Sequence, residues 1–151
     1  MPLEKVLIIE DEPVVGNLLN EILQRRKCTV TLTQTLGEAQ TIVGKETFDL
    51  IMLDLRLPDG DGSKFLEQLA LLPSRPLVVM VTGFGSIESA VACMRAGAFD
   101  YVMKPFTPSQ IDVILKKAQT YRQLLSVNRL LNEPEETDGA LVGRSPAMVR
   151  L

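Results

Sequence analysis

At 151 residues, 46% hydrophobic and 23% charged, the chain is long enough for one packed domain with a short extension. A net charge of −3 with no long basic run speaks against direct nucleic-acid binding by this stretch. The absence of histidine excludes histidine metal sites, Ser-His-Asp and Cys-His nucleophiles and a phosphohistidine carrier role, which leaves carboxylates, hydroxyls and lysines for any chemistry.

The run KVLIIE, residues 5–10, predicts a buried strand. Pro13 then opens a helix at a position where its missing N–H costs nothing. Val14, Val15, Leu18, Leu19, Ile22 and Leu23 share one helical face. TVTLT, residues 29–33, is β-rich and alternates, which predicts a second strand. A helix over 36–45 follows, and DLIMLD, residues 49–54, is a third strand. Phe65, Leu66, Leu69 and Leu72 mark a third helix, closed by Pro73. LVVMVT, residues 77–82, is a fourth strand. Ser86 is placed to cap the next helix, to which Ile87, Val91 and Met94 give an apolar side, and Gly97 ends it. DYVMK, residues 100–104, is a short fifth strand before Pro105, and residues 109–131 form one long helical pattern. Short apolar strands alternating with amphipathic helices imply a parallel sheet covered on both faces, in the α/β class.

Cys28 and Cys93 lack CxxC or metal-like spacing and sit in apolar-periodic surroundings, so buried reduced thiols and a cytoplasmic location are expected. The opening MPLEKVLIIE starts a strand and has no signal-peptide pattern, and runs such as LVVMV are too short to cross a bilayer, so no membrane association is expected. From residue 132 the composition turns acidic and turn-rich in NEPEETDGA, the signature of a flexible linker, before LVGRSPAMVRL becomes apolar again.

Ligands of an open α/β sheet bind beyond the carboxyl ends of its strands. Those ends carry Glu10-Asp11, Asp54, Thr82-Gly83 and Lys104-Pro105. Each has a plain structural reading. Asp11 or Glu12 can cap the helix at Pro13, Asp54 can shape a turn, Thr82 can be an ordinary strand-end residue and Lys104 a solvated lysine. Together they read differently. Three carboxylates, Glu10, Asp11 and Asp54, repel in one cleft unless a cation joins them, and Lys104 supplies a single positive charge. Hard oxygen ligands with open positions suit Mg²⁺. A carboxylate so held can accept a phosphoryl group, with Mg²⁺ on one phosphoryl oxygen, Lys104 on another, and the Thr82 hydroxyl with the Gly83 N–H on a third. Asp54 is then the nucleophile.

The stretches IIEDE, IMLDLRLPDGDG, VTGFGSIESAV and AGAFDYVMKPF, spread over residues 4 to about 122, resemble the receiver domain of two-component response regulators. The resemblance implies a flavodoxin-like (βα)5 doubly wound five-stranded parallel sheet in strand order 2-1-3-4-5, with an extended C-terminal helix. It implies that Asp54 is phosphorylated by a sensor histidine kinase. It implies that Asp11, Asp54 and the Arg56 backbone carbonyl bind Mg²⁺ directly, with Glu10 acting mainly through a metal-bound water. Lys104 would pair first with the carboxylates and then with the phosphoryl oxygen. Thr82 and Tyr101 would be the switch pair, and the Lys104–Pro105 bond would be cis. Many family members have two aspartates where this chain has Glu10-Asp11.

The tail LVGRSPAM is similar to the opening of the AAA+ ATPase domain of sigma-54-dependent, NtrC-type transcriptional activators. The expected organisation is therefore a receiver over 1–122, a linker helix and acidic linker over 123–139, and the start of an ATPase domain over 140–151. No GxxxxGK phosphate loop occurs, so this stretch is not itself an ATPase, and the resemblance implies a regulatory phosphoacceptor rather than an enzyme. DNA and sigma-54 RNA polymerase would be met only through domains outside these residues. Alternatives are a stand-alone receiver for phosphotransfer or motility, and an aspartate-nucleophile phosphatase of the dehalogenase type. The phosphatase would need a general-acid aspartate where Arg56 stands. Tyr121, Leu124, Val127 and Leu131 continue an apolar stripe, and Thr120, Leu124, Val127 and Leu131 have the 4-3-4 spacing of a coiled-coil seam with Asn128 beside it, so a homodimer through the C-terminal helix is expected.

Overall fold

The computed structural model describes residues 4–83 and 85–132, with side chains described as far as 125. Its strands are β1 (Lys5–Ile9), β2 (Thr29–Thr33), β3 (Leu50–Leu53), β4 (Arg56–Leu57), β5 (Gly60–Asp61), β6 (Leu77–Thr82) and β7 (Asp100–Met103). Its helices are α1 (Pro13–Arg25), α2 (Leu36–Val43), α3 (Gly62–Leu69), α4 (Ile87–Arg95) and α5 (Pro108–Asn132). Leu3–Ala118 form one compact unit, and the residues of α5 from Gln119 belong to a second. The expected linker and ATPase segments over 133–151 lie outside the described residues.

Five strands pair in parallel in the order β2-β1-β3-β6-β7. Counting only these five, that is the expected 2-1-3-4-5 order of the flavodoxin-like fold. The pleat sends alternate residues to opposite faces. Val6 and Ile8 of β1 join Leu50, Met52, Val79 and Val81 under α1 and the start of α5, through Leu19, Ile22, Leu23, Ile111 and Leu115. Leu7 and Ile9 join Ile51, Leu53, Val78 and Met80 under α2, α3 and α4, through Ala39, Phe65, Leu66, Leu69 and Cys93. Apolar side chains on both faces explain why these strands are uninterrupted apolar runs rather than alternating ones. Both cysteines are buried. Among the described residues no helix is long and apolar enough to cross a membrane.

Two local expectations change. In α4, Ile87, Val91 and Met94 face solvent, Ile87 being 85% exposed, while Cys93 is the buried residue. The apolar stripe is real, but the smaller side packs on the sheet. The third helix ends at Leu69, before the Leu72 of the predicted stripe, which packs on the core from the following turn. The chain after Asp54 also closes into a small antiparallel ribbon, with Arg56 opposite Asp61 and Leu57 opposite Gly60.

Candidate functional site

Backbone bonds one residue past β1, β3 and β7 fix the side chains at the carboxyl edge of the sheet. The Glu10 N–H donates to Thr33 O at 2.9 Å, Asp54 N–H to Ile9 O at 3.2 Å and Lys104 N–H to Thr82 O at 2.9 Å. Glu10, Asp54 and Thr82 are thereby held as buried polar residues at the edge of a mostly apolar core. Lys104 follows β7 and precedes Pro105 through a cis peptide bond.

The Lys104 ammonium is the hub. It lies 3.0 Å from Asp54 Oδ2, 2.5 Å from Glu12 Oε1 and 2.9 Å from Glu10 Oε1. The contact with Glu10 is off the line of a hydrogen bond, so that buried oxygen has a charge beside it and no aligned donor. The other Glu10 oxygen accepts from the Glu12 N–H at 3.1 Å. Asp54 Oδ1 accepts from the Arg56 N–H at 3.3 Å. Burial pushes the Glu10 carboxyl up to about 7, helped by the Asp54 charge, against the pull of Lys104 and the Glu12 N–H. Burial works against the charge on Lys104, but Glu12, Glu10 and Asp54 together raise its pKa above the ordinary lysine value.

Among the described residues, the carboxylates whose oxygens converge within 4.8 Å are Glu10, Glu12 and Asp54. Asp11 is half-buried and stands outside that set. Glu12 is therefore a site residue that the sequence reading treated only as a cap. It does occupy the N-cap position of α1, yet its side chain makes no cap bond and reaches Lys104 instead. The signal was available: glutamate is absent from the preferred N-cap residues, so one placed there is free for other work. Three carboxylates around one ammonium, with a buried oxygen lacking an aligned donor, form an all-oxygen donor set that fits a hard divalent cation.

Thr82 is fully buried at the end of β6, and Gly83 is exposed beside it. A Cβ at Gly83 would sit 3.7 Å from Lys104 Cβ, so the turn passes close to the lysine. Tyr101 lies opposite Met80 in the β6–β7 register, and Thr82 lies opposite Met103. The Tyr101 hydroxyl is 3.3 Å from Ser89 Oγ and occupies the space a side chain at Gly85 would need. Arg56 is exposed in β4, directly beyond the Asp54 carboxylate that its N–H contacts.

Residues 6–116 match the sequence pattern of the response regulator receiver domain. The chain is 32% identical over 152 residues to the response regulator protein PilR of Pseudomonas aeruginosa, covering 98% of this chain and 32% of that protein. It is 32% identical over 151 residues to the C4-dicarboxylate transport transcriptional regulatory protein DctD of the same species, covering 97% of this chain and 33% of DctD. The chain thus spans about a third of the length of the curated relatives it matches. Among solved structures, the beryllofluoride-activated NtrC4 receiver domain dimer aligns with a TM-score of 0.73 at 30% identity, over 78% of this chain and 97% of that one. A response regulator protein from Burkholderia pseudomallei, solved with a phosphorylated aspartic acid, a calcium ion and citrate, aligns with a TM-score of 0.69 at 29% identity, over 87% of this chain and 75% of that one. The matched pattern takes in nearly all of the sheet and most of the chain, and the chain belongs to the response regulator receiver domain family.

Proposed function

We propose that this chain is a phosphorylation switch in which Asp54 accepts a phosphoryl group from a sensor histidine kinase. The observation that carries the reading is the buried Asp54 carboxylate, held between the Lys104 ammonium and the Arg56 N–H at the carboxyl edge of the sheet. An Asp54 oxygen attacks phosphorus, and the bond from phosphorus to the donor imidazole nitrogen breaks. The nitrogen keeps the electron pair and takes up a proton. No other bond of this chain changes, so its remaining residues work by position and charge.

Lys104 exchanges its carboxylate contacts for a phosphoryl oxygen. The Thr82 hydroxyl and the Gly83 N–H take another oxygen, and Tyr101 turns toward the space the hydroxyl leaves. Glu10, Asp11, Asp54 and the Arg56 carbonyl would hold Mg²⁺, with Glu10 acting through water, and Glu12 adds a further carboxylate beside them. The ion supplies charge neutralisation at the phosphoryl oxygens. The calcium ion in the phosphorylated Burkholderia relative supports a hard cation here.

The module acts as a regulatory phosphoacceptor rather than a turnover enzyme. In the whole protein it would control an attached sigma-54-dependent transcription activator, as its resemblance to transcriptional regulators such as DctD supports. Incubation with a small acyl phosphate and Mg²⁺ is expected to leave one phosphoryl group held on the chain, and chelation by EDTA to stop labelling. Sustained turnover of the donor, or undiminished labelling in EDTA, would contradict the reading.

Two copies of the chain would pair through the C-terminal part of α5, a step supported by the NtrC4 receiver dimer. Tyr121 and Leu124 are exposed on α5, while the side chains of Val127, Asn128 and Leu131 lie outside the described residues. Sedimentation of residues 1–151 is expected to show a dimer that weakens on truncation near Lys117. A monomer at high micromolar concentration, with and without a phosphate mimic, would refute the pairing.

A further inference from the structure

The segment that follows Asp54 is fastened to two helices at once. Leu55 O accepts from the Gly62 N–H at 2.7 Å, and Arg56 and Leu57 pair with Asp61 and Gly60. Pro58 and Asp59 form the two-residue tip of this ribbon. On one side Asp61 caps α3, accepting from the Ser63 N–H at 2.8 Å. On the other, Asp59 reaches α2, with Oδ1 accepting from the Leu36 N–H and Oδ2 from the Gly37 N–H, both at 2.9 Å. Thr35 Oγ1 takes the next amide, Glu38, at 3.1 Å. The first three amides of α2 are therefore all satisfied, two of them by a residue more than twenty positions away in sequence.

A helix of this kind usually finds its cap in its own flanking residues, and Thr35 is such a cap. Asp59 adds a fork from another loop. Hydrogen bonds from Leu36 and Gly37 hold its carboxyl below the usual carboxylate range although the side chain is exposed. Gly60 adds a second anchor: a Cβ there would lie 3.0 Å from Leu36 Cδ1, so the ribbon tip sits against the start of α2. Arg56, on the same ribbon, is the residue whose N–H contacts the Asp54 carboxylate.

We propose that Asp59 is a positioning residue for the phosphoacceptor: its grip on the first turn of α2 holds the ribbon so that the Arg56 amide stays on Asp54. For its effect on phosphorylation this rests on the reading of Asp54 given above. Asp59 touches no reacting atom. Its effect is transmitted through a chain of bonded contacts from α2 to Asp59, to the ribbon and to Arg56. A residue that serves only as a cap would change the stability of α2 and leave Arg56 where it is.

Asp59→Ala and Asp59→Asn in the full chain decide between these roles, read at a temperature where all variants are folded. Amide exchange is measured in EDTA at Leu36, Gly37 and Arg56. In Asp59→Ala exchange should quicken at all three positions, and Asp59→Asn, which keeps one acceptor oxygen, should fall between it and the wild type. Faster exchange at Leu36 and Gly37 with Arg56 unchanged would overturn the proposal, whether or not the chain is phosphorylated. The second arm is the Mg²⁺ concentration that gives half-maximal labelling by a small acyl phosphate. It should rise about tenfold in Asp59→Ala, the low end for loss of a residue that orients ligands from outside. An unchanged half-point would also overturn the proposal. Absence of label in the wild type would instead contradict the reading of Asp54, and the exchange arm would still decide the role of Asp59.

Discussion

Lys104→Met is expected to lose about 3 kcal/mol of stability at pH 8, the low end for a buried ion cluster stripped of one partner. Methionine keeps the unbranched stem, so packing changes little, while Glu10, Glu12 and Asp54 lose the ammonium that contacts all three. The loss should depend on pH in a fixed direction. The Glu10 carboxyl sits at about 7 in the folded chain, above its ordinary value of 4.5. The folded state therefore binds that proton more readily than the unfolded state does. The corresponding stability is fully present below the ordinary value and is lost as pH rises through about 7. Without Lys104 the carboxyl is pushed higher still, so the variant should be close to the wild type at pH 5 and furthest from it at pH 8. Urea denaturation in EDTA at the two pH values measures this. An equal deficit at both would mean that packing, not charge, gives Lys104 its role in the fold.

Gly62→Ala should be the most damaging single methyl group at the site. A Cβ at Gly62 would overlap the Asp54 carbonyl oxygen, and would lie 3.1 Å from its carbonyl carbon and 3.2 Å from Leu55 Cα. These neighbours are backbone atoms at the end of a buried strand, so no flexible side chain can turn away. Overpacking of this kind costs about 3 kcal/mol, the upper part of the usual range, because the backbone itself must move. The same movement displaces the Asp54 carboxylate from Lys104. Labelling by an acyl phosphate should fall about tenfold or more even where circular dichroism shows the variant folded, since small misplacements of reacting groups are expensive. A folded Gly62→Ala chain that labels at the wild-type rate would show that this close approach does not position Asp54.

How far the sequence speaks depends on what each element buries. KVLII and LVVMV lie in strands covered on both faces, so their continuous apolar character and the turns around them predict parallel strands directly. Once the strand ends were placed, Asp54, Thr82 and Lys104 fell together at one edge, because a parallel sheet aligns the carboxyl ends of its strands. The stripe of Ile87, Val91 and Met94 was legible as a stripe, but a periodic pattern alone does not say whether a face meets core or solvent. Here Cys93 packs inward and the larger residues face out. The β4–β5 ribbon has two residues per strand, too few for any period to register. Asp11 and Glu12 are neighbours of the same charge, and the turn between β1 and α1 decides which one meets Lys104. That turn is set by the Glu12 N–H bonding back to Glu10, a contact that no spacing rule contains. The grip of Asp59 on α2 joins residues more than twenty positions apart and is equally absent from any local pattern.

Everything proposed for the site turns on Asp54 as the residue that receives the phosphoryl group. The most direct measurement compares wild type and Asp54→Asn for incorporation of phosphate from a small acyl phosphate in Mg²⁺, followed by intact mass and peptide mapping. Asparagine keeps the size and one acceptor oxygen of the side chain but removes the nucleophilic carboxylate, so the fold should persist while labelling vanishes. One phosphoryl group is expected on the wild-type chain, mapped to Asp54, and none on Asp54→Asn. A folded Asp54→Asn chain that still gains a stable acyl phosphate in Mg²⁺ would contradict Asp54 as the phosphoacceptor.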